Sequence, residues 1–248
     1  MSTIYILWLR QVKRYMRARS RIIGALGQPL LFLLAFGFGF GPIFQRAGQG
    51  NYIQFLAPGI IGMSIIFTSV FSGIEIIWDR QFGFLKETLV APVSRVEIMI
   101  GRTLGGATVA TFQGIIVLII SLAIGFHPED PALLPIAVVF MLLIALLFTA
   151  FGTALASVME DMHGFQLIMN FLVMPFFFLS GAMFPLQGLP MAINLIASID
   201  PLSYGVDGLR GALVGAAYFG LTTDFVVLAA ITAILMVIGS RLFSKIQI

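Results

Sequence analysis

The run IQFLAPGIIGMSIIFTSVFSGIEII, residues 53–77, decides the fold class. It stays apolar almost throughout, with its one charge, Glu75, near the end. A bilayer core about 30 Å thick needs about 20 such residues in a helix. The run lacks the period-two alternation of a barrel strand. Helices and closed barrels are the two ways to satisfy backbone polar groups in lipid, so a membrane helix is expected. Wound as a helix, it carries a polar row: Ser64, Thr68, Ser72 and Glu75, continued by Asp79. These recur at steps of three or four residues and therefore share one face.

Five further runs meet or nearly meet the same length, at residues 22–44, 103–126, 132–158, 165–184 and 225–243. The expected fold is an all-α integral membrane protein with six transmembrane helices, forming a single domain over residues 1–248. Composition agrees: 59% of residues are hydrophobic and 10% charged, against about a quarter charged in soluble domains. No cysteine is present, which excludes a disulfide framework and thiolate chemistry. No cleavable signal peptide is expected, because the first apolar run is too long and lacks a small-residue cleavage site.

Charge sets the orientation. Arg10, Lys13, Arg14, Arg17, Arg19 and Arg21 precede the first run, and Arg80, Lys86, Arg95 and Arg102 fall between the second and third. Arg241 and Lys245 follow the sixth, while only Arg46 and Arg210 lie in the other loops. The positive-inside rule places both termini in the cytoplasm, as an even number of spans requires. Residues 1–21 read as an amphipathic elbow helix. Arg10, Arg14, Arg17 and Arg21 share one face, opposite Ile4, Tyr5, Trp8, Val12, Tyr15 and Met16. Trp8, Arg10, Arg14, Tyr15 and Arg17 would anchor it in the inner interface, with arginines toward anionic lipid. The same helix could also touch a cytoplasmic partner. Glu75 and Asp79, one turn apart, repel each other and need a cation. At least one should pair with the elbow, with Arg80 or with Arg102.

Several function classes are disfavoured. There is no Gly-Lys pair, hence no P-loop. Any ATP and Mg would be bound by another chain, and no cofactor or metal is expected here. His127-Pro-Glu-Asp130 and Glu160-Asp-Met-His163 each offer too few convergent ligands for a closed metal site, and they lie on opposite sides by orientation. They read as polar residues solvating helix ends. No acyl-transfer constellation is visible.

The stretch between the second and third runs has a construction of its own. In Phe84-Leu-Lys-Glu-Thr-Leu-Val90 the residues Phe84, Leu85, Leu89 and Val90 can cluster on one side, with Lys86 and Glu87 facing away. Pro92 ends that helix, because the residue before proline is pushed from the helical region. Ser94 is a candidate N-cap for the next helix, with Glu97 completing a capping box.

Arg80-Gln-Phe-Gly-Phe-Leu-Lys-Glu-Thr-Leu-Val-Ala-Pro-Val-Ser94 resembles the signature of ABC-2 type transporter permeases. Phe176-Phe-Phe-Leu-Ser-Gly-Ala-Met-Phe-Pro185 and Asp200-Pro-Leu-Ser-Tyr-Gly-Val-Asp-Gly-Leu-Arg210 agree with the family. The likeness covers essentially the whole chain and is similar in flavour to daunorubicin-resistance-like and nodulation-like exporters. The resemblance implies that residues 78–100 form a cytoplasmic coupling segment docking on an ABC ATPase. Gly83 would supply a tight bend, and Phe84, Leu85 and Leu89 would be buried. Lys86 and Glu87 would make charged contacts, and Pro92 and Ser94 would fix the start of the next helix. It further implies two ATPase copies and a second permease, as a homodimer or with a related chain. Asp200 replaces the asparagine common in the family.

Polar residues inside spans are costly and usually face a bundle interior or a watery cavity. Ser64, Thr68, Ser72 and Glu75 in span two, with His163, Gln166 and Asn170 in span five, would line a pathway. Phe171, Phe176, Phe177 and Phe178 would add an aromatic surface. Helix–helix hydrogen bonding and ordinary packing explain the same residues equally directly. Residues 186–217 are too interrupted by proline and glycine to span, and read as short re-entrant helices at the outer leaflet. The expected function is export of a hydrophobic or amphipathic substrate of the drug, lipid or glycolipid class, in a prokaryotic inner membrane. No nucleic-acid partner is expected. The competing class is an ion- or proton-coupled secondary transporter, which often shows repeated halves and mid-membrane ionisable residues. Here no repeat is visible and Glu75 lies near a span end.

Overall fold

The computed structural model describes residues 2–46, 50–84 and 93–244. Among these there is no strand. The helices are α1 (Thr3–Arg17), α2 (Arg19–Arg46), α3 (Tyr52–Ser72), α4 (Ile74–Gln81) and α5 (Arg95–Ile124). After a 3₁₀ turn at Pro131–Leu133 come α6 (Leu134–Val158), α7 (Met162–Leu179), α8 (Met191–Ile199), α9 (Pro201–Val214) and α10 (Leu221–Ser244). Among the described residues, six segments are long and apolar enough to cross a membrane: α2, α3 with α4, α5, the 3₁₀ turn with α6, α7 and α10.

The α3–α4 segment is the axis of the bundle, buried along most of its length and packed against α2, α5, α6 and α9. α2, α7 and α10 are peripheral and keep broad apolar faces, including Ile23, Phe38, Leu167, Val226 and Val237, at the surface. This inverts the pattern of a soluble bundle, as expected where lipid is the outer solvent.

Two features of the helices differ from the apolar runs. α5 begins at Arg95, well before the apolar run at 103–126, because Ser94 caps it by accepting from the Glu97 N–H at 3.1 Å. Its early polar residue Arg102 turns into the bundle. The second span is broken at Gly73, where α3 ends and α4 begins. There the backbone meets α6 almost directly: a Cβ on Gly73 would collide with the Gly152 carbonyl, and one on Gly152 would lie 2.5 Å from the Val70 carbonyl oxygen. The two glycines let the axis and α6 cross in contact, as small residues do in membrane bundles.

At the far end of the bundle α9 is buried on nearly every face, against α3, α6 and α10. Arg210 lies over the Phe55 ring, 4.1 Å from its centroid, and donates to the Gly181 carbonyl at 3.0 Å. The Asp207 carboxylate accepts the backbone N–H groups of Tyr218 and Phe219 at 2.7–2.8 Å. Asp200 caps α9 by accepting the Leu202 N–H at 2.8 Å, and Pro201 occupies the first turn, where its missing N–H costs nothing.

The Gly73–Gly152 contact should tolerate no side chain. Gly152→Ala is expected to destabilise the protein by about 1–3 kcal/mol through overpacking. Gly24, with nothing within 4 Å of its Cβ position, should gain about 0.5–1 kcal/mol on conversion to alanine. Unfolding midpoints in mixed detergent compare the two. Burial pushes the Asp200 carboxyl from its ordinary 3.8 up to about 8, with the Leu202 N–H opposing the shift. The folded state then holds a proton that the unfolded state releases, so this group's stabilising contribution falls as pH rises between those values. Asp200→Asn keeps a capping oxygen and should raise the thermal midpoint most above pH 8. The advantage should shrink toward pH 4, as a pH series of melts would read.

Candidate coupling and binding site

Glu75 and Asp79 stand one turn apart on α4, both buried. Glu75 Oε1 accepts Arg21 Nη1 at 2.8 Å, and Oε2 forms an ion pair with Arg14. Asp79 Oδ2 accepts Arg10 Nη2 at 3.2 Å and also bonds Arg102. Four guanidinium groups from α1, α2 and α5 thus converge on two carboxylates. A lone carboxylate here would pay a large desolvation penalty, which paired guanidiniums offset. Arg102, 5% exposed, is as buried as its partner, whereas Arg10, Arg14 and Arg21 keep nearly half their side-chain surface open. Glu75 and Asp79 therefore find the cations their spacing demanded, and both use the elbow.

The elbow itself docks lengthwise on the first half of α5. Gly101 and Gly105 form a groove: a Cβ on Gly101 would lie 3.0 Å from the Ile4 carbonyl, and one on Gly105 2.6 Å from Gln11 Cβ. Trp8 Nε1 donates to Thr108 Oγ1 at 3.0 Å, and the Tyr15 hydroxyl donates to Gln113 Oε1 at 2.5 Å. Trp8 and Tyr15, read from the sequence as interfacial anchors, thus hold their polar tips on α5, and Arg10 and Arg14 pair with the α4 acids. Arg17 remains exposed. The signal for this docking was a glutamine inside an apolar span, which needs a partner, beside two glycines one turn apart.

Both ends of the stretch between α4 and α5 are tied down. Arg80 donates to the Met159 and Ser157 carbonyls, each at 3.1 Å, at the C-terminus of α6. A cation there also meets the negative end of the helix dipole. Gln81 donates to the Glu160 carbonyl at 3.2 Å. On the other side Arg95 donates to the Ser244 carbonyl at 3.0 Å at the end of α10. Gly83 has φ +82°, a conformation that favours glycine. Phe84 is exposed. Leu85, Lys86, Glu87, Leu89 and Pro92 lie outside the described residues. A cavity of about 640 Å³ opens between α1 and α4, lined by Arg10, Arg14, Arg21, Trp78, Phe82 and Phe84 among others.

The residues expected to line a pathway do not converge within one chain. Ser64 and Thr68 border a cavity of about 190 Å³ together with Tyr15, Arg21 and Gln28. Ser64 and Ser72 donate to their own helix, at the Ile61 and Ser69 carbonyls, and Glu75 is taken by arginines. Gln166, Asn170 and Phe171 lie on the exposed face of α7, Phe171 at 78% exposure. Phe177 is corrected from pathway surface to core: it is fully buried, 6.4 Å from Phe32 between ring centroids. On a helix it lies off the Phe171 face, and α2 covers it.

The buried and half-exposed members of the cluster should respond differently. Asp79→Leu strands Arg102 and should cost about 3–5 kcal/mol, whereas Arg10→Gln leaves Asp79 its Arg102 partner and should cost about 0–1 kcal/mol. Chemical denaturation of the two variants in detergent micelles measures the contrast. Equal costs would mean the pair with Arg102 does not carry the cluster.

Residues 2–214 match the ABC-2 type transporter family. The ycf38 protein of Pyropia yezoensis, named as a transport permease, is 32% identical over 213 residues, covering 84% of this chain and 72% of its own. Nodulation protein J of Rhizobium leguminosarum bv. trifolii is 27% identical over 213 residues, covering 85% and 78%. The inner membrane transport permease YadH of Escherichia coli (strain K12) is 27% identical over 224 residues, covering 90% and 87%. With six helices able to cross a membrane, the chain belongs to the ABC-2 type transporter family and is a non-catalytic membrane permease subunit of an ABC transporter.

Proposed function

We propose that this permease moves a hydrophobic or amphipathic molecule, of the drug, lipid or glycolipid class, out of the cell on energy from a separate ATPase. The observation that carries the reading is the anchoring of both flanks of residues 82–94. α4 is tied to α1, α2, α5 and the end of α6, and α5 is tied to the end of α10. A force applied to that stretch reaches four other helices through ion pairs and hydrogen bonds. That is what a coupling element needs when ATPase closure must reshape a membrane bundle.

In this reading both termini and residues 82–94 face the cytoplasm, following the arginine distribution. Phe84, Leu85, Lys86, Glu87 and Leu89 engage the ATPase, while Gly83, Pro92 and Ser94 shape the coupling segment, and two copies of the ATPase serve two permeases. The second permease is a copy of this chain, and the pathway forms between them. The exposed face of α7, with Gln166, Asn170 and Phe171, supplies its wall. The wall's mixture of uncharged polar and aromatic side chains favours amphipathic cargo over an anionic polymer. The name of one relative, an inner membrane permease, supports a multi-pass protein of the inner membrane. α8 and α9 cap the exit. Glu75 is saturated by Arg14 and Arg21, which disfavours its use as the proton carrier of a secondary transporter.

Affinity capture from native membranes tests this, with the intact chain and a Glu87→Ala/Leu89→Ala double variant as baits. The intact chain should recover an ATPase bearing a P-loop, and the double variant should recover several-fold less. Equal recovery would move the contact elsewhere. Recovery of no ATPase by either bait, with other membrane complexes preserved, would overturn the reading.

A further inference from the structure

We infer that the cleft between α1 and α4 is a binding site for an anionic phospholipid, whose phosphate sits among Arg10, Arg14 and Arg21. The cluster is electrically incomplete. Four guanidiniums, those of Arg10, Arg14, Arg21 and Arg102, face two carboxylates, those of Glu75 and Asp79, which leaves two net positive charges. α1 adds Lys13 and Arg17 and carries no acid. The three arginines on the cavity wall each pair through a single terminal nitrogen and remain 43–47% exposed. Their remaining donors therefore border a cavity of about 640 Å³.

The other wall is apolar and aromatic. Trp78 and Phe82 are 49% and 61% exposed and line the same cavity. Their rings lie 5.3 Å apart, as one continuous surface. A free phosphate would use the cationic wall and leave the aromatic one wet. A phospholipid uses both, with its phosphate on the guanidiniums and its glycerol and upper acyl chains against the indole and phenyl rings. Basic pockets beside membrane helices bind acidic headgroups in this way, at about 1 kcal/mol per basic residue, and tryptophan favours that depth. The site lies where α4 runs into residues 82–94, so an occupied cleft would brace the elbow against the stretch assigned to coupling. The inference rests on the placement of this end at a membrane interface and not on the identity of an ATPase.

The chain has two tryptophans, Trp8 and Trp78. Trp8→Phe therefore makes Trp78 the sole reporter. The full-length variant is reconstituted in phosphatidylcholine nanodiscs containing a minor fraction of tail-brominated lipid. Quenching of Trp78 should be stronger with brominated phosphatidylglycerol than with brominated phosphatidylcholine at equal fraction. Adding Arg10→Gln and Arg21→Gln removes the excess charge yet leaves Asp79 with Arg102 and Glu75 with Arg14, so the fold should persist. Each change should lower the phosphatidylglycerol preference about fivefold. Equal quenching by the two lipids, or a preference untouched by the arginine changes, overturns the site. Release of quenching by millimolar glycerol 3-phosphate would reassign it to a free phosphate and overturn the lipid proposal.

Discussion

Two carboxylates on one turn of α4 organise the arginine-rich end of this protein. Glu75 and Asp79 repel each other, and both are buried. That arrangement holds only while guanidiniums from α1, α2 and α5 surround them. The elbow therefore cannot leave the bundle without stripping one guanidinium from each carboxylate, leaving Asp79 only Arg102 and Glu75 only Arg21, and α4 cannot rotate without breaking pairs to three other helices. The Gly73–Gly152 crossing makes the arrangement possible. It ends α3 and lets α4 start against α6, so that Arg80 reaches the last carbonyls of that helix.

Much of this was legible in the sequence. The apolar runs were long enough to identify six spans, because length against bilayer thickness is a local property. The need of Glu75 and Asp79 for a cation followed from their spacing, and the elbow and Arg102 were among the named partners. Arg80, also named, instead caps α6, since α4 points it toward free carbonyls there. The docking of α1 on Gly101 and Gly105 was legible only as a place of close packing, because a glycine pair and a glutamine in a span say that something packs there and not what. Phe177 was misjudged for a related reason. In a membrane helix, phenylalanine suits lipid, pathway and core alike, and only the position of α2 decides among them.

The far end follows different chemistry. Asp207 is satisfied by backbone N–H groups and Arg210 by carbonyls and the Phe55 ring, so its charged residues close loops instead of joining helices. In the proposed function this division matters. The end that meets the ATPase is welded into a unit by charge. The opposite end is held by local hydrogen bonds and packing around α9, and the peripheral α7 presents the surface on which a second copy would act.

The central claim is that α1 and α4 move as one body when the coupling stretch is pushed. The chain has no cysteine, so spin labels can be placed cleanly at Lys13→Cys on α1 and Phe82→Cys after α4, with a second pair at Phe82→Cys and Tyr218→Cys. Electron–electron distances are then measured in the permease–ATPase complex, free of nucleotide and with nucleotide trapped. The account predicts an unchanged Lys13–Phe82 distance and a shifted Phe82–Tyr218 distance. A Lys13–Phe82 distance that changes on trapping would contradict it, because the ion pairs would then be opening and not transmitting.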